Sequence, residues 1–203
     1  MRKDSNIYVA GGQSGLVGTA IVRLLKKKGY TNIMVKPREE VNVLNQESVE
    51  KFFQTYKPEY VFLTAAKVGG IWANKTQKAD FIFENLQIQT NVIYHAWKHK
   101  VKKLLFLGSS CIYPKYAPQP IKEEYMLSGK LEETNDAYAV AKIAGITLCQ
   151  SFNEQYKTNF ISAMPASIYG PGDNFDSKNS HVIPGRMRKF HEAKIAKKKK
   201  VVL

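Results

Sequence analysis

Asn6-Ile7-Tyr8-Val9-Ala10-Gly11-Gly12-Gln13-Ser14-Gly15-Leu16-Val17-Gly18 reads as a buried strand, a glycine turn and the first turn of a helix. Ile7 to Ala10 is a short apolar run, and from Gly15 to Lys28 the residues Val17, Ile21, Leu24 and Leu25 recur on one helical face. Gly12, Gly15 and Gly18 are spaced G-x-x-G-x-x-G. Glycine in such a turn allows a tight bend, close approach of a pyrophosphate to the backbone, and close contact of helix with strand. The helix then turns free N–H groups towards the phosphates. Glycine-rich turns are common. Between a strand and a helix, this one predicts a dinucleotide site formed by Gly12, Gln13, Ser14, Gly15, Leu16, Val17 and Gly18.

The rest of the chain repeats the alternation. Strands are expected at 32–36, 59–66, 103–108 and 159–164, and helices at about 45–56, 78–99 and 136–156, with Asn45 as a helix cap. Nearly continuous apolar strands alternating with helices imply an α/β fold, a doubly wound parallel sheet covered on both faces. Lys198-Lys199-Lys200-Val201-Val202-Leu203 reads as the start of a further strand. The expected division is a cofactor domain over 1–180 and the truncated start of a substrate-binding region over 181–203.

Composition narrows the function classes. Of 203 residues, 44% are hydrophobic and 24% charged, which argues against a disordered or fibrous chain. The net charge of +14 is partly a run of lysines near the end, Lys194 and Lys197 to Lys200. The others are scattered over expected helix ends and loops, and no aromatic–basic RNA-binding motif accompanies them, so no nucleic-acid partner is expected. An RNA-binding surface would instead show a steep salt dependence. No apolar run is long enough for a membrane-spanning helix, and the N-terminus has no apolar signal core. The two cysteines, Cys111 and Cys149, fit a reduced, cytoplasmic setting. No His/Cys/Asp/Glu spacing suggests a metal.

The second strand bears on the choice of dinucleotide. It ends Val35-Lys36-Pro37-Arg38, where NAD-binding folds carry an acid for the ribose 2′-hydroxyl. Lys36 and Arg38 would attract a 2′-phosphate, which predicts NADP(H). Glu39 and Glu40, which follow, offer the competing hydroxyl partner.

Tyr138 and Lys142 stand one helical turn apart on the same face. An ammonium beside a phenol favours phenolate, which would make Tyr138 a proton donor to a carbonyl under reduction. With 11 tyrosines in a lysine-rich chain, one such pair is expected by chance, and Tyr94–Lys98 is another. Only Tyr138 has Gly108-Ser109-Ser110-Cys111 upstream at a strand end, so Tyr94 is expected to be a core-packing residue.

The glycine loop, Ser109, Tyr138 and Lys142 resemble the extended short-chain dehydrogenase/reductases. Four longer strings are more specific: Gly108-Ser-Ser-Cys-Ile-Tyr-Pro-Lys115, Tyr138-Ala-Val-Ala-Lys-Ile-Ala-Gly145, Tyr169-Gly-Pro-Gly-Asp-Asn-Phe175 and Ser180-His-Val-Ile-Pro184. Together they resemble the GDP-L-fucose synthases, the GDP-4-keto-6-deoxy-mannose 3,5-epimerase-4-reductases, over the whole chain. The resemblance implies NADP(H) as cofactor and GDP-4-keto-6-deoxy-mannose as the nucleotide-sugar substrate. It implies Cys111 and His181 as the acid–base pair inverting C3 and C5, and Ser109 on the 4-keto oxygen. It makes Tyr138 the proton donor at C4 and Lys142 the residue that holds the nicotinamide ribose and lowers the tyrosine pKa. It also places Gly108, Ser110, Pro165, Ala166, Ser167, Ile168 and His181 at the cofactor, Lys189 at the GDP diphosphate, and a homodimer on the two long helices.

The chain departs from this family in two ways. Pro165-Ala166-Ser167 stands where the family has Pro-Thr-Asn, and the family continues for about another hundred residues. A fragment of this kind is expected to bind NADPH and to turn over little sugar. The competing readings are another nucleotide-sugar epimerase or dehydratase of the same superfamily, with an acid closing the second strand, and a non-catalytic NADP-binding remnant.

Overall fold

The computed structural model describes residues 1–176 and 179–201. Five strands, β1 (Ile7–Ala10), β2 (Ile33–Met34), β3 (Tyr60–Leu63), β4 (Lys103–Leu107) and β5 (Phe160–Ala163), form one parallel sheet in the order β2-β1-β3-β4-β5. Six helices connect or follow them: α1 (Leu16–Lys27), α2 (Gln46–Tyr56), α3 (Ile71–Thr76), α4 (Lys78–Lys98), α5 (Asp136–Tyr156) and α6 (Val182–Ile195). This is the doubly wound architecture that the alternation implied. No helix among the described residues is long and apolar enough to cross a membrane.

Alternation along β1 explains the two-sided core. Ile7 and Val9 point to one face and pack with Leu25, Ile21 and Val22 of α1. Tyr8 and Ala10 point to the other face, into the larger cluster built with Phe52 and Phe53 of α2, Val92 and Ile93 of α4, and Ile146 of α5. All four β1 residues are buried, as a central strand of a doubly covered sheet requires. Asn45 caps α2 as its sequence suggests, its Oδ1 accepting from Ser48 N at 2.7 Å.

Parallel pairing sets the site. Ala10 pairs with Leu63, Leu63 with Phe106 and Leu107 with Ala163, so the carboxyl ends of β1, β3, β4 and β5 lie along one edge. Gly11-Gly12, Thr64-Ala65, Gly108-Ser109 and Met164-Pro165 therefore leave the sheet side by side. The chain runs outward from β1 to β2, then crosses back to β3 on the other side. Loops diverge at that reversal and leave the crevice in which such sheets bind ligands.

Several expectations change. β2 is two residues long rather than five. α3 was not legible in sequence, because six residues are too short for a helical period. Leu24 is 52% exposed; it sits on the flank of α1, where Leu16, Ile168 and Tyr169 line an apolar hollow of about 300 Å³. Tyr94 is 38% exposed on α4 against His95 and Trp97, not in the core. Residues 198–201 are not a strand, because they follow the end of α6 with no strand partner, and Val202 and Leu203 lie outside the described residues.

Candidate functional site

The glycine turn is built around two close approaches. At Gly18, on the first turn of α1, a Cβ would stand 2.1 Å from Gly11 O and 2.9 Å from Thr64 Oγ1. That position joins helix to strand and tolerates no side chain. Gly15 is the residue before α1, with φ +83°, and a Cβ there would meet nothing within 4 Å. Glycine is needed here for the left-handed backbone rather than for packing. The turn thus presents open space before a helix N-terminus, which fits a phosphate-bearing cofactor. Gly11, at φ +87° with a Cβ position 2.7 Å from Ala65 N, is equally constrained. Sequence reading passed it over because it lies outside the three-glycine spacing.

Beyond β2 the two cations behave differently. Lys36 Nζ is 2.8 Å from Glu40 Oε2 and 4.9 Å from the Tyr56 ring centroid, so its charge is already engaged. Arg38 is exposed and makes no ion pair among the described residues. Of the two, Arg38 has the guanidinium available for an anion.

The loop after β4 and the start of α5 bring the chemistry together. Ser109 Oγ accepts from Cys111 N at 3.3 Å and caps the 3-10 turn Ser110–Ile112. That cap turns Cys111 back over the sheet edge towards α5. Tyr138, on the first turns of α5, packs edge-on to Phe81. Burial raises the Tyr138 phenol above its ordinary range, negative charge on Cys111 raises it further, and a hydrogen bond with Ser109 lowers it. Ser109, Cys111 and Tyr138 therefore face one another across the same crevice.

Lys142 lies 3% exposed beneath them. Its Nζ donates to Leu107 O at 2.8 Å and stands 5.6 Å from the centroid of the Tyr138 ring. The expected lowering of the tyrosine pKa by this ammonium is not found. Burial governs the phenol, and the same burial brings Lys142 down to about 8, so its own charge is weakened.

That shift has a measurable sign. The unfolded lysine holds its proton to about pH 10.5 and the folded one to about pH 8. Between these values the unfolded state binds more protons, so stability rises with pH; below about pH 8 the full cost of burying the charge, on the order of 3 kcal/mol, is present. Urea titrations of the parent are expected to show this gain between pH 8 and 9.5, and Lys142→Met is expected to flatten it. A pH profile of Lys142→Met parallel to the parent's would refute the assignment.

The remaining predicted residues divide. Gly108 is buried, and a Cβ there would touch Met164 and Ile146. Pro165 is half-buried, and Ser110, Ala166, Ser167 and Ile168 are exposed, all on the carboxyl edge of the sheet. His181 is the residue before α6, exposed and not hydrogen-bonded to Cys111 among the described residues. The segment before it docks on the loop after β3: Gly70 N donates to Asn179 O at 3.1 Å, and a Cβ on Gly70 would stand 2.6 Å from Ser180 O. This docking ties the segment just before His181 to the loop after β3. Lys189 is exposed on α6.

Asn135 was not anticipated. It precedes α5, and its Nδ2 donates to Cys111 Sγ at 3.2 Å. The tyrosine–lysine spacing drew attention to the helix, whereas Asn135 is tied to Cys111 only by tertiary contact. Cys149 is 1% exposed and its thiol is pushed up to about 12 by burial, in keeping with a core residue.

Away from this edge, the fold gathers three groups that sequence spacing did not. Glu50 of α2 meets His95 Nδ1 of α4 at 2.6 Å and Nε2 of His99, the residue after α4, at 3.3 Å. Lys98 at 3.0 Å and Gln54 at 2.6 Å also bind this carboxylate. Although burial opposes it, these donors and His95 hold Glu50 down to about 2. Lys98 and Gln54 hold Oε1, whereas Oε2, close to His95 Nδ1, makes no well-directed hydrogen bond among the described residues; the cluster ties α2 to α4.

The fold has counterparts among known proteins. A family model described as the NAD dependent epimerase/dehydratase family matches residues 7–203. A curated Arabidopsis thaliana protein named "Putative GDP-L-fucose synthase 2" is 57% identical over 203 residues, covering 100% of this chain and 62% of its own. A crystal structure of a GDP-D-glycero-L-gluco-heptose synthase from Campylobacter jejuni in the presence of NADPH is 49% identical, covers 96% of this chain and 57% of its own, and has a TM-score of 0.92. A GDP-L-fucose synthetase from Naegleria fowleri bound to NADP is 30% identical over 100% of this chain and 66% of its own, with a TM-score of 0.91. The chain spans about three-fifths of the length of the curated relatives it matches. A glycine turn at the sheet reversal, with serine, tyrosine and lysine at the end of β4 and on α5, and a family model spanning 7–203 lead to one assignment: the chain belongs to the NAD dependent epimerase/dehydratase family.

Proposed function

We propose that the protein is an NADP-dependent nucleotide-sugar epimerase/reductase acting on GDP-4-keto-6-deoxy-mannose to give GDP-L-fucose. The observation that carries this reading is the meeting of Ser109, Cys111 and Tyr138 above the buried Lys142, at the sheet edge that also bears the glycine turn. A simple cofactor-binding remnant would have no use for a cysteine facing the tyrosine. In this reading residues 1–180 form the cofactor half and 181–203 begin the substrate side. Gly12 to Gly18 cradle the pyrophosphate, Arg38 takes the 2′-phosphate with Lys36 held beside it by Glu40, and Lys189 takes the substrate diphosphate.

The chemistry follows from the residue types. The 4-keto group acidifies the hydrogens at C3 and C5. Cys111 and His181 exchange these protons on opposite faces of the ring. Ser109 donates to the keto oxygen as negative charge develops there. Tyr138 keeps its proton because burial holds the phenol neutral, so it can donate that proton to the C4 oxygen. Lys142 orients the ribose. NADPH, when bound, supplies the hydride received at C4. The half-exposed aromatics Tyr94 and Tyr156 on α4 and α5, with the Trp97 ring tilted against Tyr156 at 4.5 Å between centroids, suit the homodimer that the resemblance implies.

In a chain extended to the length of its relatives, loss of NADPH absorbance on adding GDP-4-keto-6-deoxy-mannose tests the activity; no loss with this sugar and loss with a GDP-4-keto-heptose would move the substrate assignment. Arg38→Ala is expected to weaken NADPH binding at least tenfold and NADH binding little, in fluorescence titrations. Equal loss for both cofactors would remove Arg38 from the 2′-phosphate.

A further inference from the structure

We infer that Asn135 is the positioning residue for Cys111: its side-chain amide fixes the direction of the sulfur and stabilises the negative charge that the sulfur carries on one side of its proton exchange. The inference rests on the acid–base role proposed for Cys111.

Asparagine just before a helix ordinarily turns its side chain back to cap the first N–H groups. Asn135 does not. It makes no side-chain cap bond to α5. The nearby N–H of Ala137 is taken instead by Asp136 Oδ1 at 2.7 Å. Asn135 gives its donor to Cys111 Sγ, 24 residues back in the chain, and leaves its own Oδ1 buried with no partner among the described residues. An orphaned carbonyl oxygen is a cost that helix capping would have avoided.

The amide has little freedom to point elsewhere. The start of α5 is clamped by Lys78 of α4, whose Nζ is 2.7 Å from Asp136 Oδ1 and 2.7 Å from Glu133 O. Cys111 is clamped by the cap of Ser109. The donor is therefore aimed by two fixed elements. An N–H directed at sulfur binds a thiolate more strongly than a thiol, and the N-terminus of a 21-residue helix acts in the same sense. Tyr138 is the titratable group coupled to Cys111 across the crevice. In the exchange, the sugar C–H breaks, the S–H forms, the electron pair passes to the keto oxygen facing Ser109, and as it returns to carbon His181 delivers a proton to the opposite face. Loss of the sulfur's proton to solvent restores the thiolate. Asn135 stabilises the same charged state whichever way the proton moves.

The test is alkylation of Cys111 by iodoacetamide at pH 7, followed by peptide mass analysis with buried Cys149 as internal control. Asn135→Asp keeps the size and capping ability of the side chain but faces the sulfur with an acceptor in place of the donor. Alkylation is expected to slow at least tenfold, with a thermal midpoint equal to or above that of the parent. Asn135→Ala is expected to slow it several-fold and serves if the aspartate variant does not fold. A merely structural asparagine would give unchanged alkylation in Asn135→Asp, and that result overturns the proposal. The assay uses neither sugar nor nucleotide. Failure here leaves the proposed activity standing, and failure of NADPH oxidation leaves this result standing.

Discussion

Gly18→Ala is expected to abolish measurable NADPH binding and to lower the thermal midpoint. The added methyl would stand 2.1 Å from Gly11 O and 2.8 Å from Gly11 C. Both are backbone atoms at the end of β1, so no side chain can rotate out of the way. The helix must move away from the strand, and the turn between them opens. Overpacking of this kind costs typically about 1–3 kcal/mol, here with a rigid partner. Moving the N–H groups of α1 off the pyrophosphate removes the hydrogen bonds that would hold it, so a loss of at least ~100-fold in affinity is expected, each tenfold being about 1.4 kcal/mol. Isothermal titration with NADPH and a thermal melt measure both effects. Gly29→Ala, beyond the other end of α1, is the control, since it meets no atom within 4 Å and strains only the backbone, at φ +78°. Wild-type affinity in Gly18→Ala would mean that the turn is not the phosphate site.

In a chain extended to the length of its relatives, Tyr138→Phe should separate the two halves of the proposed reaction. Removing the hydroxyl deletes the proton donor for C4, and loss of a general acid costs about 10² to 10⁴ in rate. Cys111 remains held by Asn135 and Ser109, so solvent deuterium should still enter the sugar at C3 and C5. Cys111→Ser or His181→Asn should do the reverse, blocking exchange at those carbons. Mass spectrometry of sugar recovered from D₂O, beside NADPH absorbance, reads both. Equal loss of exchange and reduction in Tyr138→Phe would show that the phenol also serves the epimerisation.

How far each feature was legible follows from its range along the chain. The glycine turn, the Asn45 cap and the alternation of strands with helices are local, written within a few residues by backbone conformation and apolar period, and the sequence alone determined them. Ser109, Cys111, Tyr138 and Lys142 were legible as residue types in a family-like order, because parallel strands put successive strand ends on one edge. Tertiary packing alone decided how they act. Burial sets Tyr138 up and Lys142 down, against the simple expectation for a phenol beside an ammonium, because desolvation depends on everything packed around a side chain and not on its spacing. The Glu50–His95–His99 cluster spans two helices that no linear pattern joins. Asn135 meets Cys111 for the same reason: a hydrogen bond spanning 24 residues exists only once β4 and α5 have packed, and it gives to the cysteine a donor that no local pattern announces.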